Sequence, residues 1–332
     1  MSFSEKRESL LTKIQNLQKE GFEAVALEVF RFQLAHNEVY RQYVELLGVD
    51  VASVQSVEQI PFLPISFFKT HTIKTGEWAA QKTYTSSGTT GAQTSRHFVF
   101  DEDWYLQNAA AIFEKIYGKV EDFCFLALLP NYLEREGSSL IAMADFFIIK
   151  SKYEQSGFFL YDQERLVKLL KANELAKVPT VLIGVSFALL DLAEQYQLSL
   201  AHTIVMETGG MKGRRKEMTR AELHDVFQKS FGIENVHSEY GMTELLSQGY
   251  SKGQGIFEPG FTMQIRTREI TDPFVYTNAG RHGVINIIDL ANIDSCAFIA
   301  TDDLGRVYEN GTFEVLGRLD QSDIRGCNLM VL

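Results

Sequence analysis

Tyr84-Thr85-Ser86-Ser87-Gly88-Thr89-Thr90-Gly91 is the stretch on which the reading of this chain turns. Five Ser and Thr hydroxyls and two glycines in so short a run make poor material for a helix or a strand. They suit a loop in which hydroxyls and open backbone N–H groups turn toward an anion. The two glycines stand too close together for a Walker A loop and no Gly-Lys-Ser/Thr follows, so an ordinary P-loop ATPase is disfavoured. On composition alone, a polar surface turn remains equally open.

Upstream of this loop, apolar residues recur at helical spacing from Ser4 to about Leu47 (Leu10, Leu11, Ile14, Leu17, then Val25, Val29, Phe32), with Gly21 as the break. The spacing predicts two or three amphipathic helices in an N-terminal helical segment, residues 1–59. Ile60-Pro61-Phe62-Leu63-Pro64-Ile65 is predicted to be extended, because each proline removes a donor and pushes its predecessor away from helical geometry. Downstream, apolar runs at 123–129, 180–185, 203–207 and 284–290 read as strands, and 163–176 and 187–196 as helices. Alternation of this kind predicts an α/β core over residues 60–316, with a partly parallel sheet covered by helices. Gly- and polar-rich stretches follow several of these strands, where open α/β sheets place their ligand loops.

Four such stretches follow the hydroxyl loop. Thr208-Gly209-Gly210-Met211-Lys212-Gly213 succeeds an apolar run and suits backbone approaching a flat ligand. The charges of Lys212, Arg214, Arg215 and Lys216 read first as a solvated helix start. Ser238-Glu239-Tyr240-Gly241-Met242-Thr243-Glu244 brings a ring face, an unhindered backbone, a hydroxyl and a hard carboxylate ligand together, as a nucleotide site requires. Thr301-Asp302-Asp303-Leu304-Gly305 offers carboxylates to ribose hydroxyls after a strand, or is a β-turn opened by Asp. Gly317-Arg318-Leu319-Asp320 begins a C-terminal stretch, 317–332, in which Arg318 presents a fork of donors and Asp320 suits a hinge.

Composition bounds the rest. A chain of 332 residues that is 45% hydrophobic and 12% aromatic has ample material for a buried core. Its formal net charge of −11 argues against coating a nucleic acid, so no nucleic-acid partner is expected. Cys124, Cys296 and Cys327 are widely spaced and fit neither a disulfide framework nor a zinc site. The opening residues lack the apolar core of a signal peptide, and no apolar run approaches the ~20 residues of a membrane span. A cytoplasmic location follows as an expectation.

Taken in order, the segments resemble the adenylate-forming superfamily, the acyl-CoA synthetases, luciferases and nonribosomal adenylation domains. Ser86 to Gly91 is similar to its phosphate loop, the Tyr240 segment to its adenine and Mg²⁺ segment, the Asp303 segment to its ribose segment, and the stretch from Gly317 to its hinge. Leu63-Pro64-Ile65-Ser66-Phe67-Phe68-Lys69-Thr70, Thr208-Gly209-Gly210 and Arg325-Gly326-Cys327 narrow the resemblance to the bacterial acyl-protein synthetases.

The resemblance implies ATP and Mg²⁺ as cofactors and an AMP-forming ligase activity on a carboxylic acid, most readily a fatty acid. It places Ser86, Ser87, Gly88, Thr89, Thr90 and Gly91 around the phosphates, and Gly209, Gly210, Tyr240, Gly241 and Met242 around the adenine. Thr243 falls on the α-phosphate, Glu244 on Mg²⁺, and Asp303 and Arg318 on the ribose. Cys327 becomes the thiol that accepts the acyl group, activated by a nearby charge such as Arg325.

Transfer to coenzyme A or a carrier protein, or a non-catalytic nucleotide- or acyl-binding subunit, stays open beside this. The fold it implies is the large N-terminal domain of the superfamily without the small C-terminal lid domain that carries a catalytic lysine, for which Lys212 is one substitute. Two positions depart from the pattern. Ala92-Gln93-Thr94 stands where many members have a proline and a lysine, leaving Arg96 to compensate, and Asp302 stands where glycine is usual. Cys124, Cys296 and His237 read as structural, and Phe146, Phe147, Phe158 and Phe159 as core packing before an acyl tunnel.

Overall fold

Local signals start and stop the first helices. Ser2 caps helix Phe3–Gln15 through a capping box, its hydroxyl accepting from Glu5 N at 3.3 Å while the Glu5 carboxylate takes Ser2 N at 2.7 Å. The face that helix buries is Leu10, Leu11 and Ile14. Helix Phe22–His36 begins just after Gly21, and Asn37 ends it and caps the next, Glu38–Leu46, by accepting from Tyr40 N at 3.0 Å. The computed structural model describes residues 2–86, 94–129, 137–209 and 218–319. Within it the chain forms two units: Met1–Asn108, Thr243–Ser247 and Glu258–Leu332 in the first, Ala109–Met242 and Gln248–Phe257 in the second.

The first unit is built on an antiparallel run of strands, Met263–Arg268, His282–Asp289, Phe298–Val307 and Phe313–Arg318. The proline-flanked crossing adds the two-residue strand Leu63–Pro64, parallel to Phe298–Val307 with Leu63 opposite Ile299. The N-terminal helices pack on this sheet through Phe30 and Tyr40 and the crossing through Phe62, all three rings 6.1 Å from that of Phe298. A second, two-stranded sheet pairs Lys82–Thr85 with Arg96–Val99, the strands on either side of the hydroxyl stretch in sequence.

Two sequence expectations are corrected here. Tyr84 and Thr85 are strand, not loop, because the Tyr84 ring is buried edge-on against Tyr105 at 5.6 Å and its hydroxyl donates to Glu102 at 2.8 Å. An aromatic anchor outweighs the local taste for turns. Thr301 to Gly305 lie inside strand Phe298–Val307 and form neither a turn nor a loop after a strand. Alternation explains the adjacent carboxylates, with Asp302 exposed and Asp303 buried.

The second unit has the doubly covered α/β pattern. Strands Gly157–Phe158, Cys124–Leu128, Thr180–Val185, Thr203–Thr208 and His237–Tyr240 run parallel in that spatial order, and Gly249–Ser251 adds an antiparallel neighbour. Cys124–Leu128 and Thr180–Val185 are buried at every position, as strands between helical layers must be. Helices Gln163–Ala176 and Ser186–Gln195 lie where periodicity puts them. No described helix is long and apolar enough to cross a membrane.

Candidate functional site

In the first unit, the hairpin brings the base of the hydroxyl loop to Glu244. Ser86 N donates to Ser95 O at 3.2 Å and Ser95 N to Ser86 Oγ at 2.9 Å, closing the loop's two ends. Ser87, Gly88, Thr89, Thr90 and Gly91 lie outside the described residues. The Ser95 side chain favours the charged form of the Glu244 carboxylate, which is 5% exposed. Burial pushes the Glu244 carboxyl up, while the bonds it accepts and the charges of Arg318 and Lys69 oppose that. Thr243 is half-buried beside it.

Asp303 and Arg318, both expected at a ribose, form a cross-strand pair, with Arg318 Nε donating to Asp303 Oδ1 at 3.2 Å. Asp303 is buried and Arg318 exposed. Between Leu304 and Gly305 the register shifts, and a side chain at 305 would run into Glu314 O and Ile285, so the glycine is obligatory there. Arg96, the suggested replacement for the missing lysine, is exposed and lies over the Phe98 ring at 5.6 Å.

In the second unit, two strand ends carry the glycine segments and a buried pair of carboxylates. Gly209 has a φ of +72° and open space where a Cβ would stand, while Gly210 lies outside the described residues. The Ser186 hydroxyl bonds Gly209 O and, at 2.9 Å, Glu207 Oε2. Burial works against the Glu207 charge, but His224, Arg220, Ser238 and Ser186 hold its carboxyl below the usual range.

On the neighbouring strand, Thr208 donates to Glu239 at 2.5 Å. Burial, with the Glu207 charge adding to it, brings the Glu239 carboxyl up to about 7. A Cβ at Gly241 would come within 2.6 Å of Glu239 Oε1, so that carboxyl leaves room for glycine alone. Tyr240 is 8% exposed and meets Phe257 edge-on at 6.0 Å, and Met242 is half-buried.

The remaining candidates divide clearly. Cys124 and Cys296 are buried, and Cys327 and the Lys212 cluster lie outside the described residues. His237 contacts the Tyr117 hydroxyl at 3.1 Å, and burial with Lys252 brings its pKa down to about 4. Phe147 packs against Phe113 and Phe125 at 5.2 and 5.4 Å, and Phe159 is buried, as core residues are.

Several polar residues at these sites escaped the sequence reading: Ser95, His97, Asp289, Asn292, Glu207 and Asn108. Asp289 and Glu207 carried a signal, as polar groups at the end of apolar strands.

The donors suit the groups expected of them. Mg²⁺ is commonly held by one or two carboxylates together with phosphate oxygens rather than by a protein cage. Glu244 is one buried carboxylate of the kind such a site would use, and no cluster of three or more His, Cys, Asp or Glu ligands occurs among the described residues. Among the described residues nothing faces the Cβ position of Gly209, which suits backbone approached by a flat ring.

Comparison with known proteins gives a consistent fold. No family model matches the chain. Over 94% of its length it is 24% identical to the long-chain-fatty-acid–luciferin-component ligase of Aliivibrio fischeri, of which 88% is covered. It matches 2-hydroxyisobutyryl-CoA ligase in complex with 2-HIB-AMP at a TM-score of 0.66 and 13% identity, over 92% of this chain and 69% of that one. ATP-bound MatB from Rhodopseudomonas palustris matches at 0.53 and 18% identity, over 71% of this chain and 47% of that one. MenE from Bacillus subtilis, the O-succinylbenzoate coenzyme A synthetase, bound to ATP and magnesium, matches at 0.53 and 19% identity, over 72% and 50%. The chain spans about half the length of MatB and MenE that it matches.

Proposed function

We propose that this chain, which has the fold of the large domain of adenylate-forming enzymes and resembles the bacterial acyl-protein synthetases, uses ATP to activate a carboxylic acid. The observation that carries the proposal is the buried Glu244 carboxylate, its charge favoured by Ser95 and Arg318, beside the strand that follows the hydroxyl-rich stretch and next to Thr243 in sequence. Such a carboxylate is costly to bury unless a cation or donors compensate it.

In this reading, Ser86 and the loop after it hold phosphate oxygens, Thr243 contacts the α-phosphate, and Glu244 holds Mg²⁺. When bound, Mg²⁺ neutralises phosphate charge. Asp303 and Arg318 bond the ribose hydroxyls, and Gly209, Tyr240 and Gly241 border the base. One oxygen of the acid forms a bond to the α-phosphorus as the bond from that phosphorus to the bridging oxygen breaks, which releases pyrophosphate and leaves the acyl-adenylate. Catalysis comes from alignment and charge neutralisation rather than from a protein nucleophile at this step.

The finer reading is that the acyl group then passes to a protein thiol. Support comes from the long-chain-fatty-acid ligase likeness and from Cys327 as candidate acceptor. The thiolate sulfur takes the acyl carbon and AMP departs with the bonding pair. ATP–pyrophosphate exchange across fatty, aromatic and short acids tests the first step: exchange dependent on one acid class supports it, and ATP binding without exchange for any acid refutes it. Cys327→Ser tests the second, which requires loss of hydroxylamine-sensitive acyl labelling with exchange retained. Retained labelling, or labelling that needs coenzyme A, moves the acceptor elsewhere.

A further inference from the structure

Residues Thr243–Ser247 carry the groups assigned to phosphate and metal, yet they belong to no helix or strand. Side chains hold their backbone instead. His97 Nδ1 lies 2.8 Å from Thr243 O, and Asn292 Nδ2 donates to Glu244 O at 2.6 Å. His97 Nε2 in turn lies 2.9 Å from Asn292 Oδ1. Further along, Asp289 accepts from Leu246 N at 2.7 Å and Ser247 N at 3.2 Å, and Asn108 donates to Leu246 O at 2.8 Å. His97, Asn292 and Asp289 are fully buried.

The strand geometry explains the grip. Ser95 and His97 are two residues apart and so share a face of the hairpin. Ser95 favours the charge of the Glu244 carboxylate, and His97 reaches the carbonyl just before it. Asn292, in the turn Leu290–Asn292, takes the next carbonyl. A carbonyl only accepts, so Nδ1 carries the proton. Donation from both ring nitrogens would make the ring cationic, which burial opposes by bringing its pKa to about 4. The Thr243 bond needs only the proton on Nδ1, whereas Nε2 and Asn292 Oδ1 share a hydrogen bond only when Nε2 is protonated as well.

We propose that His97 and Asn292 are positioning residues that fix Thr243 and Glu244 against the base of the hydroxyl loop before nucleotide arrives. The proposal rests on the ATP reading above. Neither side chain is assigned a contact with substrate, and their action is through the two carbonyls. Pre-set ligands spare the reorganisation that a loose segment would undergo on binding.

The test uses His97→Ala, His97→Gln and Asn292→Ala in the full chain, with Mg²⁺·ATP affinity by calorimetry, Mg²⁺ dependence of exchange, and melting temperature. Each Ala variant is expected to weaken Mg²⁺·ATP binding about tenfold or more, as loss of support behind a metal ligand commonly does, with the KM for the acid unchanged. The double Ala variant should lose less than the product of the two, because both residues hold one backbone segment. His97→Gln keeps an N–H for Thr243 O and should recover most of the affinity.

Variants that bind Mg²⁺·ATP like the wild type overturn the proposal while the ATP reading stands. A wild type without Mg²⁺·ATP binding overturns that reading itself. Should His97→Ala fail to fold, His97→Gln and Asn292→Ala carry the same comparison: normal Mg²⁺·ATP affinity in a folded Asn292→Ala refutes the pair.

Discussion

Glu244 and Glu239 are both buried carboxylates, and their surroundings set them apart. Burial pushes the Glu244 carboxyl up, and Ser95, Arg318 and Lys69 oppose that by favouring its charge, as suits a metal ligand. Glu244→Gln keeps the shape and removes the charge, so exchange at saturating ATP should fall roughly 10²–10³-fold, the range typical of losing one electrostatic stabiliser. Glu239 has burial and the Glu207 charge against ionisation, and its folded pKa of about 7 lies above the usual 4.5. A raised pKa means the folded state binds the proton more tightly. Its contribution to stability is therefore complete below about pH 4.5 and is lost as pH rises through 7. Glu239→Gln should remove that loss, so urea unfolding should show the variant gaining on the wild type between pH 5 and pH 8, by up to roughly 3 kcal/mol. Glu244, Asp303 and Arg318 were singled out in the sequence because each sits in a short run of telling composition. His97 was not, since its partner Thr243 lies 146 residues away and nothing around His97 points there.

Among elements, helix Phe3–Gln15 shows how an amphipathic segment gains a fixed seat. Its apolar stripe gives burial, but the register comes from Arg7, whose Nε and Nη2 donate to the two Asp294 oxygens at 2.6 and 2.7 Å. Both side chains are nearly buried. Arg7→Ala leaves Asp294 buried without its partner and should cost about 3–5 kcal/mol in chemical denaturation. The joint change Arg7→Met with Asp294→Leu should cost much less, because no unpaired charge remains. Helix Phe22–His36 is tied to the same region by Gln33, which donates to Asn292 O and Ile293 O at 3.0 Å and accepts from Ala297 N at 2.9 Å. Periodicity revealed these helices and their inner faces. It gave no sign that Arg7, which looks like a solvent-facing charge, is an anchor, because the compensating carboxylate lies 287 residues further on.

For the whole molecule, the N-terminal helices are part of the first unit's core and not an appendage. Phe30 and Tyr40 are fully buried against Phe298, and Tyr40 donates to Pro61 O at 2.6 Å. Deleting residues 1–46 should expose the Phe298 face of the sheet, and the shortened chain should be recovered aggregated or without a cooperative melt, as read by size exclusion and circular dichroism. The sequence alone determined part of the element order, among it helices Phe22–His36 and Gln163–Ala176 and strands Cys124–Leu128, Thr180–Val185 and Thr203–Thr208, and the resemblance that suggested a nucleotide, because short-range periodicity and local composition act within a few residues of the chain. Only the tertiary structure decided that Tyr84 lies within a strand, that Asp303 faces inward opposite Arg318, and that Thr243 and Glu244 hang from His97 and Asn292. Those outcomes depend on burial and on hydrogen bonds between residues far apart in sequence, and no local spacing encodes them.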